Sequence, residues 1–259
     1  MKRLNIFCDL VTIGMFFPAV CLTGCLPSII KIQQSFKEGD TFTYIFEDVT
    51  REDFDEESTI RSATRTKLIV EVPRVRSDGT VDIIIKKSAE TLESTVLKNK
   101  IDLGRTHQEQ VSFKILPNGE IPEKRSLDRS SIRWGEIILR NLPPQGLRIG
   151  ETFKTDIPFT TPQGEKLRNK REFTILGFEK CKGYDCVKIR IASRTMAEKD
   201  EVLMYLLVSE KEVLLAYRKG FFVVQSHRKL IRKYATETND LETDYIRVID
   251  VELVAAKSN

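Results

Sequence analysis

Phe173-Thr-Ile-Leu-Gly-Phe-Glu-Lys-Cys-Lys-Gly-Tyr-Asp-Cys-Val-Lys-Ile-Arg-Ile191 holds two runs of alternating character, Phe173–Glu179 and Val187–Ile191, on either side of a four-residue insert between Cys181 and Cys186. Alternation of apolar and polar residues is the period of a strand with one buried face, and a short insert containing glycine joins such strands as a hairpin. The same pattern recurs outward in both directions. Runs rich in Val, Ile, Phe, Thr and Tyr stand at 41–48, 67–72, 80–86, 111–116, 172–179, 187–192, 202–208, 213–217, 221–226 and 245–253. Ser77-Asp78-Gly79 and Pro117-Asn118-Gly119 read as turns between them. The fold expected is mainly β: antiparallel sheets forming a curved sandwich or an incomplete barrel. One stretch departs from the pattern, and a single helix is expected over 128–141, capped near Asp128 and ending before Pro143-Pro144.

A short echo suggests internal organisation. Phe36-Lys-Glu-Gly-Asp-Thr-Phe42 resembles Leu147-Arg-Ile-Gly-Glu-Thr-Phe153, each a Gly-acid-Thr-Phe step that leads into an extended segment. The domain expected over 36–259 therefore divides into two candidate halves, 36–127 and 145–256.

The N-terminus carries an address. Lys2 and Arg3 precede a mostly apolar stretch from Leu10 to Leu22, too short to cross a hydrocarbon core that needs about 20 helical residues and suited to a signal peptide. Leu22-Thr23-Gly24-Cys25 follows and resembles the lipobox of bacterial lipoproteins. The resemblance implies removal of residues 1–24, acylation of the Cys25 thiol, and a tether over 25–35. With Leu26 rather than an acid after the cysteine, it implies an outer-membrane anchor facing the periplasm in a Gram-negative source. The other reading is an ordinary signal peptide with Cys25 a bystander.

Beyond that anchor, 142–153 together with 173–189 is similar to a group of uncharacterised exported β-rich bacterial proteins. A looser likeness is to the incomplete barrels of lipoprotein carriers and lipid-binding periplasmic proteins. These resemblances imply fold and export, and no active site.

The net charge of +4 is too small to argue for a nucleic-acid partner. With Cys8, Cys21 and Cys25 assigned to signal and anchor, Cys181 and Cys186 are an even pair in an oxidising compartment. A disulfide across the mouth of the hairpin is expected. A metal site there would lack further cysteine ligands, and the spacing is not that of a redox Cys-x-x-Cys pair.

Catalytic signatures are missing: no Gly-x-Ser-x-Gly elbow, phosphate loop or His-Glu-x-x-His occurs. His107 and His227 stand far apart among polar neighbours. The acids Glu52, Asp53, Asp55, Glu56 and Glu57 lack the glycine and spacing of a calcium loop and read as a solvated segment. His227, Arg228, Lys229, Arg232 and Lys233 form a basic cluster that is a candidate contact for an anionic surface. No cofactor is expected. The function expected is non-enzymatic: a membrane-anchored envelope lipoprotein whose β-rich domain binds a lipid or another envelope component. The alternative is an envelope hydrolase with a carboxylate site that no motif marks.

Overall fold

The computed structural model describes residues 29–33, 35–53, 59–94, 100–102, 110–116, 121, 136–139, 143, 145–160, 166–199, 202–217, 219–235 and 241–257. Within them lie eleven strands and no α-helix. These are β1 Thr41–Asp53, β2 Thr59–Val75, β3 Val81–Ser94, β4 Lys100–Asp102 and β5 Gln110–Ile115, then β6 Thr152–Thr160, β7 Lys166–Cys181, β8 Tyr184–Lys199, β9 Val202–Ala216, β10 Val223–Ala235 and β11 Leu241–Lys257. They form one sheet in the order β4-β3-β2-β1-β11-β10-β9-β8-β7-β6, with β5 pairing β3. All ladders are antiparallel. A meander β1–β4, with β5 beside β3, and a second meander β6–β11 are joined by β11 lying against β1, and among the described residues β6 is not paired with the opposite edge.

The sheet curls because one of its faces is buried with little to cover it. Phe42, Tyr44 and Phe46 on β1, Leu68 and Val70 on β2, Phe173 and Ile175 on β7, and Val213 and Leu215 on β9 belong to one core. No second sheet or helix packs over them among the described residues. Natural strand twist, sharpened by bulges in β2, β7, β10 and β11, bends such a sheet around its own apolar side.

The N-terminal segment completes the core. Ile30 pairs with Leu147 in both directions, its N–H donating at 2.8 Å and its carbonyl accepting at 2.9 Å, and Ile30, Ile32 and Phe36 are buried. Within the tether expected over 25–35, Ile30 and Ile32 pack into the core, followed by Phe36, while Lys31, Gln33 and Ser35 are exposed. Two glycines permit the approach. A Cβ on Gly146 would meet the Ile30 carbonyl oxygen at 2.8 Å, and one on Gly220 would meet that of Ser35 at 2.2 Å.

Several expectations change. The helix over 128–141 falls largely outside the described residues, and its described part, Glu136–Leu139, is turn and bend that buries Ile137, Ile138 and Leu139. The runs 202–208 and 213–217 are one strand, β9, with Ser209 and Lys211 buried where the sequence suggested a break. Ser77-Asp78-Gly79 is a turn, closed by Gly79 N–H to Arg76 O at 2.9 Å. Pro117-Asn118-Gly119 lies outside the described residues.

The echo has matching geometry. Gly39 and Gly150 have φ of 88° and 83°. Asp40 N–H donates to Lys37 O and Glu151 N–H to Arg148 O, both at 3.1 Å. Each acid also accepts from the backbone N–H three residues earlier, Asp40 from Lys37 at 2.7 Å and Glu151 from Arg148 at 2.9 Å. The same turn thus opens β1 and β6.

Candidate functional site: a cationic pocket on the inner face

Strand register places inner-face side chains in rows that run across the sheet, and neighbouring rows differ in character. The first row, Ile175, Ile189, Val213, Ser226, Val251 and Phe46, is apolar but for one hydroxyl. The second is Phe153, Phe173, Ile191, Lys211, Arg228, Ile249 and Asp48, so two cations stand side by side within an apolar row. The third, Thr155, Arg171, Ser193, Ser209, Leu230 and Arg247, is mostly polar. A core that changes to a polar belt within two residues along each strand cannot be explained by solvent exposure alone, because Lys211, Ser209, Ser226 and Asp48 are buried.

Like charges directly opposite each other on one face repel, so Lys211 and Arg228 need a counter-ion. Glu136 provides it from the irregular segment that lies over the sheet. Its Oε1 accepts from Arg228 Nη1 at 2.6 Å, and Lys211 Nζ lies 2.9 Å from Oε2 and donates to the Glu136 carbonyl oxygen at 3.1 Å. The Oε2 contact is within ion-pair distance but is not aligned as a hydrogen bond. Arg228 also donates from Nε to Ser209 Oγ at 2.7 Å. Burial opposes ionisation of Glu136, but Lys211 and Arg228 together outweigh it and hold the carboxyl at about 2. Burial pushes the Lys211 ammonium below the usual lysine range, with Arg228 and Arg171 adding to the fall and Glu136 resisting it.

These groups line a cavity of about 220 Å³, whose walls also include Ile138, Leu139, Phe173, Ile191, Ser193 and Arg171. Among the described residues its charged lining is Arg171, Lys211, Arg228 and Glu136. Further along the belt Arg247 grips Asp48 through both carboxylate oxygens at 3.0 and 3.1 Å. Chemically, the pocket offers guanidinium and ammonium donors beside apolar walls.

The basic cluster read from the sequence does not form one surface. Strand β10 sends its residues alternately to opposite faces, as the two-residue period requires. Arg228 turns inward to Glu136, while His227 meets Asp250 on the other face at 2.7 Å. Lys229 is exposed, Arg232 is tied to Asp244 at 2.7 Å, and Lys233 is half-buried. Only Arg228 of the five joins the pocket.

Cys181 and Cys186 are free thiols. The hairpin between them is tighter than the four-residue insert implied: Cys181 pairs with Tyr184 and Cys186 with Glu179, with Lys182 and Gly183 both at positive φ in the turn. The cysteines therefore sit offset along the ladder rather than facing one another. Cys186 is fully buried, and its thiol is pushed up to about 11, chiefly by burial. Cys25, His107 and the acids from Asp55 to Glu57 lie outside the described residues. Among the described residues no three His, Cys, Asp or Glu side chains converge as metal ligands.

The molecule is of the class of open, all-antiparallel β-sheet proteins with a buried inner face. No protein-family model and no curated protein matches the sequence. Among solved structures the chain is similar to a protein from Bacteroides fragilis described as exported and of YmcC-like fold, at 8% identity and TM-score 0.31, over 88% of this chain and 99% of that one. It is also similar to a LolA-superfamily protein from Nitrosomonas europaea, at 11% identity and TM-score 0.14, over 86% and 88%. At these scores the likenesses carry no functional weight.

Proposed function

We propose that the chain is a non-enzymatic, lipid-anchored protein of the bacterial cell envelope, whose inner sheet face binds a lipid or another envelope component. The observation that carries the binding half is the pocket, which joins cationic donors to apolar walls on a sheet with an open edge. The anchoring half rests on Leu22-Thr23-Gly24-Cys25 at the end of an apolar stretch. Two or more acyl chains on Cys25, each methylene worth about 0.8 kcal/mol, hold a domain at a bilayer without a membrane span. Since Ile30 is already core, four residues of chain lie between it and the anchor, and the five peptide steps reach at most roughly 18 Å. The domain then sits against the membrane rather than far from it.

The hydrolase reading finds little support at this pocket. Among the described residues Glu136 is the one carboxylate in its lining and is held ionised, whereas two carboxylates with separated roles are what glycoside hydrolysis uses. The test is organic extraction of the protein purified from its native envelope, followed by lipid mass spectrometry. A single class of amphiphile recovered near one per protein is expected. Absence of any bound amphiphile, together with no protection of the domain by added envelope lipids in thermal unfolding, contradicts the reading.

A further inference from the structure

We infer that Ile29, Lys31, Arg148 and Ile149 form the face by which the domain lies on an anionic bilayer, the isoleucines entering the interfacial layer and the two cations meeting lipid phosphates. The inference rests on the lipid anchor of the proposed function and names the surface that this anchor brings to the membrane.

Three observations carry it. First, the four residues are held together. Ile30 and Leu147 exchange both backbone hydrogen bonds, which sets Ile29 opposite Arg148 and Lys31 opposite Gly146. Ile29 lies across Gly146, where an added Cβ would come within 3.0 Å of its Cγ2. Ile149 follows directly and is fixed by its bridge to Ile175 on β7. Second, their character suits a charged interface. Ile29 is 52% and Ile149 49% exposed, and Lys31 and Arg148 beside them are exposed too. On the same edge of the sheet Lys154 pairs with Glu172 and Arg168 with Asp156, whereas among the described residues the Lys31 and Arg148 side chains pair with no carboxylate. Glu151, the acid nearest in sequence to Ile149, turns its carboxylate to the Arg148 backbone N–H at 2.9 Å. Unpaired cations beside apolar side chains match a bilayer whose phosphates attract basic residues and whose head-group boundary takes up apolar ones. Third, the anchor reaches this face. Leu26, Pro27 and Ser28 lie between Cys25 and Ile29, and the four peptide steps span at most roughly 14 Å. Isoleucines exposed singly need no partner, and two of them would hold a free protein on a bilayer only weakly. A lipidated Cys25 makes the contact intramolecular, so a weak surface suffices to orient the domain. The same tether brings a membrane, rather than a soluble partner, to this place.

The test is fluorescence quenching by bromine-labelled phospholipid, using the lipidated protein purified from its native membranes and placed in vesicles of phosphatidylethanolamine and phosphatidylglycerol. Trp134 is replaced by Phe, and a single tryptophan is introduced as Ile149→Trp or, at the far end of β10, as Tyr234→Trp. The Ile149→Trp probe should be quenched at least about twofold more strongly, as a side chain seated about 5–10 Å into the head-group boundary would be. Lys31→Glu combined with Arg148→Glu should abolish that difference and leave the protein on the vesicles, with thermal unfolding showing each variant folded. Equal quenching of the two probes, or none at either, on vesicles that retain the protein would overturn this face while the anchor stands. Strong quenching of the Ile149→Trp probe that survives the charge reversal would overturn the role of lipid phosphates. An Ile149→Trp probe shielded from bromine in a chain that crosslinks to a second copy would replace the bilayer with self-association. Protein absent from the vesicles because Cys25 is unmodified would overturn the inference together with the anchoring reading beneath it.

Discussion

Lys211 and Arg228 face each other directly across the β9–β10 ladder, and the carboxylate of Glu136 bridges them from a segment 75 and 92 residues away in the chain. The bridge fixes an otherwise irregular stretch to the sheet. It also holds a buried lysine and a half-buried arginine between an apolar row and a mostly polar one.

Removal of the bridge should be costly. Glu136→Ala leaves Lys211 buried beside a like charge, and a loss of about 3–5 kcal/mol in urea unfolding is expected. Glu136→Leu combined with Lys211→Met should recover most of that loss, because the uncompensated charge goes with its partner. A double variant no more stable than Glu136→Ala would mean that the segment is held by Ile137, Ile138 and Leu139 rather than by the ion pair.

Acid should release the same bridge. The folded carboxyl of Glu136 titrates at about 2, below its ordinary value of 4.5, so its contribution is complete above pH 4.5 and lost as pH falls through about 2. Lys211 has the opposite consequence for neutral solution. Its lowered value means that the unfolded chain binds its proton more readily, so stability should rise with pH between that lowered value and 10.5. Urea midpoints measured across both windows check these signs, and Glu136→Gln should flatten the acid limb.

Gly220 lets the N-terminal segment dock. It has φ of 93°, its carbonyl accepts from Ser35 N–H at 2.9 Å, and an added Cβ would lie 2.2 Å from backbone. Gly220→Ala should therefore cost about 2–4 kcal/mol through overpacking and strain. Gly183→Asn, in a turn with open space and a conformation that asparagine tolerates, should cost under about 1 kcal/mol. Thermal unfolding of both variants makes the comparison.

The two thiols should differ in reactivity. Burial raises both above the ordinary range, Cys186 to about 11, and Cys181 is the more accessible. Reduced protein at neutral pH should be alkylated slowly, Cys181 before Cys186. Protein taken directly from its envelope should take up two alkyl groups, counted by mass, as the free thiols of the structure require; resistance at both would mean that the disulfide expected from the sequence closes there.

The hairpins were legible wherever one face is apolar. Phe173–Ile191 alternates on either side of the β7 bulge at Leu176, and Lys182-Gly183 supplies the two positive-φ residues of a tight turn. The paired Gly-acid steps were legible for the same local reason. The strands are longer than their apolar runs because the sheet continues into a polar belt. Ser209-Glu-Lys-Glu212 read as a break in β9, yet it is the part of β9 that builds the pocket. The basic cluster on β10 was visible as composition, but a two-residue period divides it between faces. Glu136 gave no signal at all, since its role depends on contacts remote in sequence.

Intact mass of the protein from membranes of its native host, set beside fractionation of Cys25→Ala, tests the central claim most directly. The expected result is a chain lacking residues 1–24 and carrying acyl mass on Cys25, with the variant unprocessed or released from the membrane. A soluble protein with an unmodified Cys25 would contradict the envelope anchor on which the proposed function stands.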